Sequence, residues 1–183
     1  MEMKVHKPAI CSGFTLSELM VILAVLGILA SAAVPVLSSW LPRYRLKSAV
    51  RELYTNIQFT KMMAVKTNDR YRLVFNTAGN GSYRVERPDG TVEKTVDFSK
   101  YGPHGHVGYG GGDATRNATV SGGPLPEDYI SYQYNRATFN SRCVGSAGYV
   151  YLANSRGAAY AVGTWSSGNV IIKRWDQATG SWQ

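Results

Sequence analysis

The hydrophobic pattern of the chain changes period along its length. From Leu19 to Leu37 no side chain is ionisable, close to the run of about 20 apolar residues that a helix rising 1.5 Å per residue needs to cross a bilayer core. Beyond it, Leu46, Val50, Leu53, Ile57 and Ala64 recur at helical spacing, with Arg43, Lys47, Arg51 and Lys61 between them. That pattern predicts an amphipathic helix with one buried stripe. The two segments read as one helix from Phe14 to about Lys66, bent or locally melted at Pro35 and Pro42, where a backbone donor is lost.

After Asn68 the period becomes two. Tyr71–Phe75 and Ser82–Glu86 alternate around Gly79-Asn80-Gly81, which reads as a hairpin. Pro88-Asp89-Gly90 is a second turn, and Thr91–Phe98 a third strand. A Gly-rich connection from Tyr101 to Pro126 carries little periodicity. Strands resume at Tyr129–Asn135, Gly148–Leu152, Ala158–Val162 and Asn169–Trp175. The expected fold is α+β: an antiparallel sheet of about six or seven strands with the amphipathic half of the helix laid against it. The domain plan is a leader over 1–13, a transmembrane half-helix over 14–43, and one globular domain over 44–183.

Order and charge refine the N-terminal part. A secretory signal peptide carries its apolar region ahead of the cleavage site, whereas here the basic head of Lys4 and Lys7 and the Gly13-Phe14 junction both precede the apolar run. Glu18 stands at the lip of that run, where an acid in mid-membrane costs about 2.5–3.5 kcal/mol and therefore points to a function. The other reading of Glu18 is a plain anchor whose acid snorkels to the interface. Basic residues flank the helix on both sides, so the positive-inside count alone leaves orientation open.

The chain has 183 residues, a mass of 20.0 kDa and a formal charge of +8. Loss of Lys4, Lys7 and Glu2 with the leader takes +8 to +7. A basic domain attracts anions without specifying one. Cys11 lies in the leader, so Cys143 is the one thiol of residues 14–183 and no disulfide forms within that part. His104-x-His106 lacks the three or four ligands of a metal site. Gly108-Tyr109-Gly110-Gly111-Gly112-Asp113 lacks the Lys-Ser/Thr pair of a phosphate loop, and no Ser or Asp has a histidine base at recognisable spacing. The expectation is a non-enzyme with no metal site and no cofactor. Arg136, Arg142, Lys173 and Arg174 mix with Tyr132, Tyr134, Trp175 and Trp182, a combination that can hold phosphate and stack on bases. Equally, the aromatic rings can alternate into a sheet core while the cations stay solvated.

Gly13-Phe14-Thr15-Leu16-Ser17-Glu18 followed by LMVILAVLGILASAAVP resembles the processing and assembly motif of type IV prepilins and type II secretion pseudopilins. The resemblance implies cleavage between Gly13 and Phe14 by a prepilin peptidase and N-methylation of Phe14. It further implies that Glu18 compensates the N-terminal amine of a neighbouring subunit in the filament. The partners implied are other pilins or pseudopilins, the inner-membrane assembly platform and the inner membrane itself. The protein would pass once through that membrane before assembly and enter a periplasmic or extracellular filament afterwards. Ala49–Leu53, Met63–Asn68 and Tyr71–Val74, with Gly148–Leu152 and Gly168–Arg174, are similar to the GspH/FimT group of minor pilins and pseudopilins. This implies a subunit that takes part in initiating the filament. FimT-like members are implicated in DNA uptake through a basic C-terminal strand, which makes DNA the alternative partner. Here that group's closing glycine-arginine pair is Gly168-Asn169, with the basic residues displaced to Lys173-Arg174.

Overall fold

The computed structural model describes residues 14–79, 81–102 and 106–183, without the side chains of 32–37 and 39. The chain divides between Ser39 and Trp40. One α-helix, α1 (Leu16–Thr67), runs unbroken through Pro35 and Pro42. The melted turns expected at the prolines are absent from it.

From Trp40 onward the helix belongs to a β-rich unit of two antiparallel sheets rather than one. The first contains β1 (Tyr71–Asn76), β2 (Ser82–Glu86), β3 (Val92–Asp97) and β5 (Arg136–Phe139), in the order β3-β2-β1-β5. The second contains β4 (Gly108–Tyr109), β6 (Gly148–Ala153), β7 (Ala159–Thr164), β8 (Val170–Asp176) and β9 (Ser181–Trp182), in the order β4-β6-β7-β8-β9. The hairpin at 76–82 pairs Asn76 with Ser82 and Leu73 with Val85. Its inward positions Tyr71, Leu73, Phe75, Tyr83 and Val85 are all buried, as period-two alternation requires.

The predicted helical stripe is the wall opposite. Leu46, Val50, Leu53, Ile57 and Ala64 are almost fully shielded from solvent and form one core with Leu73, Val85, Phe139, Val150 and Leu152. Two polar residues share the stripe and are satisfied within it. Asn56 donates from Nδ2 to the Tyr83 hydroxyl at 2.7 Å and accepts from Lys94 Nζ at 2.8 Å. Thr60 Oγ1 returns to the Asn56 carbonyl at 2.7 Å. Burial pushes the Tyr83 hydroxyl above the ordinary phenol range, although its bond from Asn56 works the other way.

The strand expected over Tyr129–Asn135 is a turn region instead. Tyr129, Tyr134 and Asn135 have φ of 59°, 55° and 53°, left-handed values incompatible with an extended strand. Only Ile130 bridges to Val150, and β5 begins at Arg136. Over its described residues 106–126 the Gly-rich segment has little periodicity because it is a strap. It covers the second face of β6 and β7, where Tyr149, Tyr151 and Ala161 pack with Ala118. Tyr151 Oη accepts from Ala118 N at 2.8 Å, Lys173 Nζ donates to Ala118 O at 2.8 Å, and Trp182 Nε1 donates to Arg116 O at 2.8 Å. With both faces covered, Tyr149 to Leu152 are buried without alternation.

Candidate functional site

Gly13 lies outside the described residues, as does the leader. At the start of α1, Thr15 occupies the N-cap: its Oγ1 accepts from Glu18 N and its carbonyl from Leu19 N, both at 3.2 Å. Thr15-x-x-Glu18 is thus half of a capping box, a spacing legible in the sequence and missed by the reading of Glu18 as an assembly residue alone. A carboxylate in the first turn also suits the positive end of the helix dipole. Glu18 is exposed, and its carboxylate has no partner among the described residues.

The apolar side chains that follow are open to their surroundings on every face. Phe14 is 77 % exposed, and from Leu16 to Leu29 no large apolar side chain falls below the 42 % of Ile22. A helix hydrophobic all round is built for an apolar environment that the isolated chain does not supply. Among the described residues no helix is long and apolar enough to cross a membrane; the run from Leu19 to Leu37 passes through the side chains left undescribed at 32–37.

The four basic candidates for DNA contact are dispersed. Arg136 opens β5 in the first sheet, opposite Val74. Arg142 stands in the turn after β5, where Asn140 Oδ1 accepts from Arg142 N at 3.0 Å and Val144 N at 3.1 Å. Lys173 and Arg174 are consecutive in β8 and so point to opposite faces. Lys173 is occupied by the strap, with its Nζ bound to Ala118 O and 5.8 Å from the centre of the Tyr149 ring. Arg174 faces the other way, onto a cleft it shares with Arg43 and Arg156. Neither partner was flagged from the sequence, because the three arginines come from a helix, a turn and a strand far apart in the chain. Of the histidine pair, His104 is outside the described residues, and among those described no three His, Cys, Asp or Glu side chains converge.

Gly168, where the strand-closing motif falls, is a backbone requirement. Its φ is +81°, and a Cβ there would lie 1.8 Å from the Cys143 carbonyl oxygen. Glycine alone tolerates both. The next residue, Asn169, is exposed and closes the β7–β8 turn by giving its carbonyl to Trp165 N at 3.0 Å.

A helix with this capped, acid-bearing and wholly apolar beginning, continued into a β-rich unit, defines a pilin-type subunit. The family model described as the prokaryotic N-terminal methylation motif matches residues 9–34, and the one described as type II transport protein GspH matches residues 49–168. The second covers more than half of the chain, and the chain belongs to the GspH family. It is a pilin-type protein of type II secretion or type IV pilus systems, and the motif implies processing by a prepilin peptidase and assembly with other pilins or pseudopilins. No curated protein and no solved structure matches the chain.

Proposed function

We propose that the protein is a non-catalytic minor pilin or pseudopilin that takes part in assembling or initiating the filament. In this proposal it is cut between Gly13 and Phe14, methylated on Phe14, and held in the inner membrane until the assembly platform draws it out. The observation that carries the proposal is Glu18. It is a carboxylate without a side-chain partner among the described residues, at the head of a helix whose apolar side chains are exposed on every face. In a filament of packed helices the same positions acquire both missing partners: apolar neighbours for the exposed side chains of the first half-helix and an N-terminal amine for the acid, which in low dielectric is worth far more than in water.

The test separates assembly from capping. Glu18→Ala in the native host is expected to abolish incorporation into filaments and the secretion or twitching that depends on them. Thr15→Ala, which removes the observed cap bond and leaves the acid, is expected to retain incorporation. Equal loss in both variants would make the order of the first helical turn, rather than the acid, the requirement for incorporation and defeat the proposal. Mass spectrometry of the mature protein is expected to start at methylated Phe14. Deletion phenotypes assign the system: blocked protein export means type II secretion, and lost twitching a pilus.

DNA as a partner requires phosphate-binding cations on one face. Dispersal of Arg136, Arg142 and Arg174, and the structural engagement of Lys173, favour the assembly function over the DNA function.

A further inference from the structure

Within residues 40–183, a cleft of about 270 Å³ is lined by Arg43, Arg156 and Arg174 together with Asp113, Tyr160 and Asp176. Among the described residues none of the three guanidinium groups makes an ion pair or a hydrogen bond, while Arg72, Arg84, Arg87 and Lys100 each have a carboxylate partner. Unpaired cations gathered on one concavity are the usual means of holding an oxyanion, and Arg holds one with two parallel bonds.

The backbone under each arginine is fixed. Arg174 exchanges both main-chain hydrogen bonds with Gln183, at 2.7 and 2.9 Å, and stands across from Tyr160 in the β7–β8 register. Arg156 sits in the β6–β7 turn, where Asn154 Oδ1 accepts from Arg156 N and Ala158 N, both at 3.1 Å. Arg43 lies one helical turn before the fully buried Leu46. The two carboxylates differ. Asp176 is engaged by Ala178 N, Thr179 Oγ1 and Gln183 Nε2 at 3.2, 2.9 and 2.9 Å. The Asp113 carboxylate makes no hydrogen bond among the described residues. It occupies the space over Gly157 that a Cβ would need, with Oδ2 only 2.2 Å from that position.

We propose that this cleft binds a small acidic ligand: one oxyanion held by Arg43, Arg156 and Arg174, on a hydroxylated body of about monosaccharide size whose hydroxyls donate to Asp113 beside the Tyr160 ring. The volume falls just below the roughly 300–1,000 Å³ of pockets that enclose drug-sized ligands. A nucleic acid fits poorly, since each strand of a duplex places a phosphate about every 3.4 Å along its axis, and Asp113 and Asp176 would oppose the neighbours of the phosphate bound.

Isothermal titration of the full chain in detergent micelles, with glucuronate as probe and glucose as neutral control, tests the proposal. Saturable binding of glucuronate and none of glucose is expected. R156Q and R174Q each lower the affinity by about 10-fold, the scale of one charge-assisted hydrogen bond, while K66Q, an equal loss of charge outside the cleft, leaves it unchanged. D113N is expected to weaken glucuronate and to strengthen inorganic phosphate. Absent binding, equal binding of glucose, or affinity undiminished in both arginine variants overturns the site. A gain for both probes in D113N overturns the hydroxyl pairing.

Discussion

Between Leu16 and Leu29 helix α1 leaves every large apolar side chain open, whereas between Leu46 and Ala64 it hides one stripe almost completely. Both segments belong to one helix, yet their polar groups are treated in opposite ways. Glu18, in the first, has a bound backbone N–H and a carboxylate with no partner among the described residues. Asn56, in the second, has both ends of its amide engaged by Tyr83 and Lys94. The contrast teaches where the chain is complete. The second segment is covered by its own sheets, while the large apolar side chains of the first are covered by nothing among the described residues.

The sharpest way to break this comparison is to truncate both segments. Leu53→Ala opens a cavity in a site with no solvent access and is expected to destabilise the protein by about 2–5 kcal/mol. Leu23→Ala, in the open segment, is expected to leave unfolding of the β-rich unit unchanged. Denaturant titration of the full chain in detergent, followed by tryptophan fluorescence, reads both. Equal destabilisation would mean that the first segment is already packed within the monomer. Asn56→Ala comes next, at about 1–3 kcal/mol, because it leaves the buried Tyr83 hydroxyl and the Lys94 ammonium without their partner. Gly168→Ala is expected to cost at least as much, since about 1–3 kcal/mol of backbone strain at φ +81° is joined by a methyl placed 1.8 Å from the Cys143 carbonyl oxygen. Its effect should concentrate on the contact between the β7–β8 turn and Cys143, seen as faster amide exchange there.

What was legible in the sequence follows the same division. The stripe Leu46, Val50, Leu53, Ile57 and Ala64 and the 76–82 hairpin could be read because burial on one face leaves a periodic trace, whereas β6 and β7, buried on both faces, could be read as short apolar and aromatic runs bounded by Gly, Ser and Asn. Tyr129–Asn135 misled because aromatic alternation mimics a strand, while the left-handed residues Tyr129, Tyr134 and Asn135 leave no mark in a hydropathy pattern. Strands β4 and β9, two residues each, are too short to show a period. The split into two sheets depends on β1 pairing with the distant β5, which no local pattern encodes. Lys173 and Arg174 looked like one basic pair, but adjacency in a strand means opposite faces. The arginine cleft was hidden for the converse reason, since its parts come together only by folding.

The smallest expected effect concerns the seam between α1 and the 3-10 turn Phe98–Tyr101 that follows β3. Glu52 Oε2 is 2.5 Å from Lys100 Nζ and also accepts from the Tyr101 hydroxyl. Burial acts to raise the Glu52 pKa, but the bonds from Lys100 and Tyr101 outweigh it and hold the carboxyl below its ordinary value of 4.5. A carboxyl with a depressed folded pKa contributes stability that is fully present above its unfolded value and is lost as pH falls through the folded one. Wild type is therefore expected to lose stability relative to Glu52→Gln as pH drops below about 4.5, and the two should converge once the carboxyl is protonated in both states. Unfolding midpoints at pH 7, 5, 4 and 3 measure the difference. A constant gap over that range would assign the difference to the hydrogen bonds at the end of the side chain rather than to ionisation of the carboxyl.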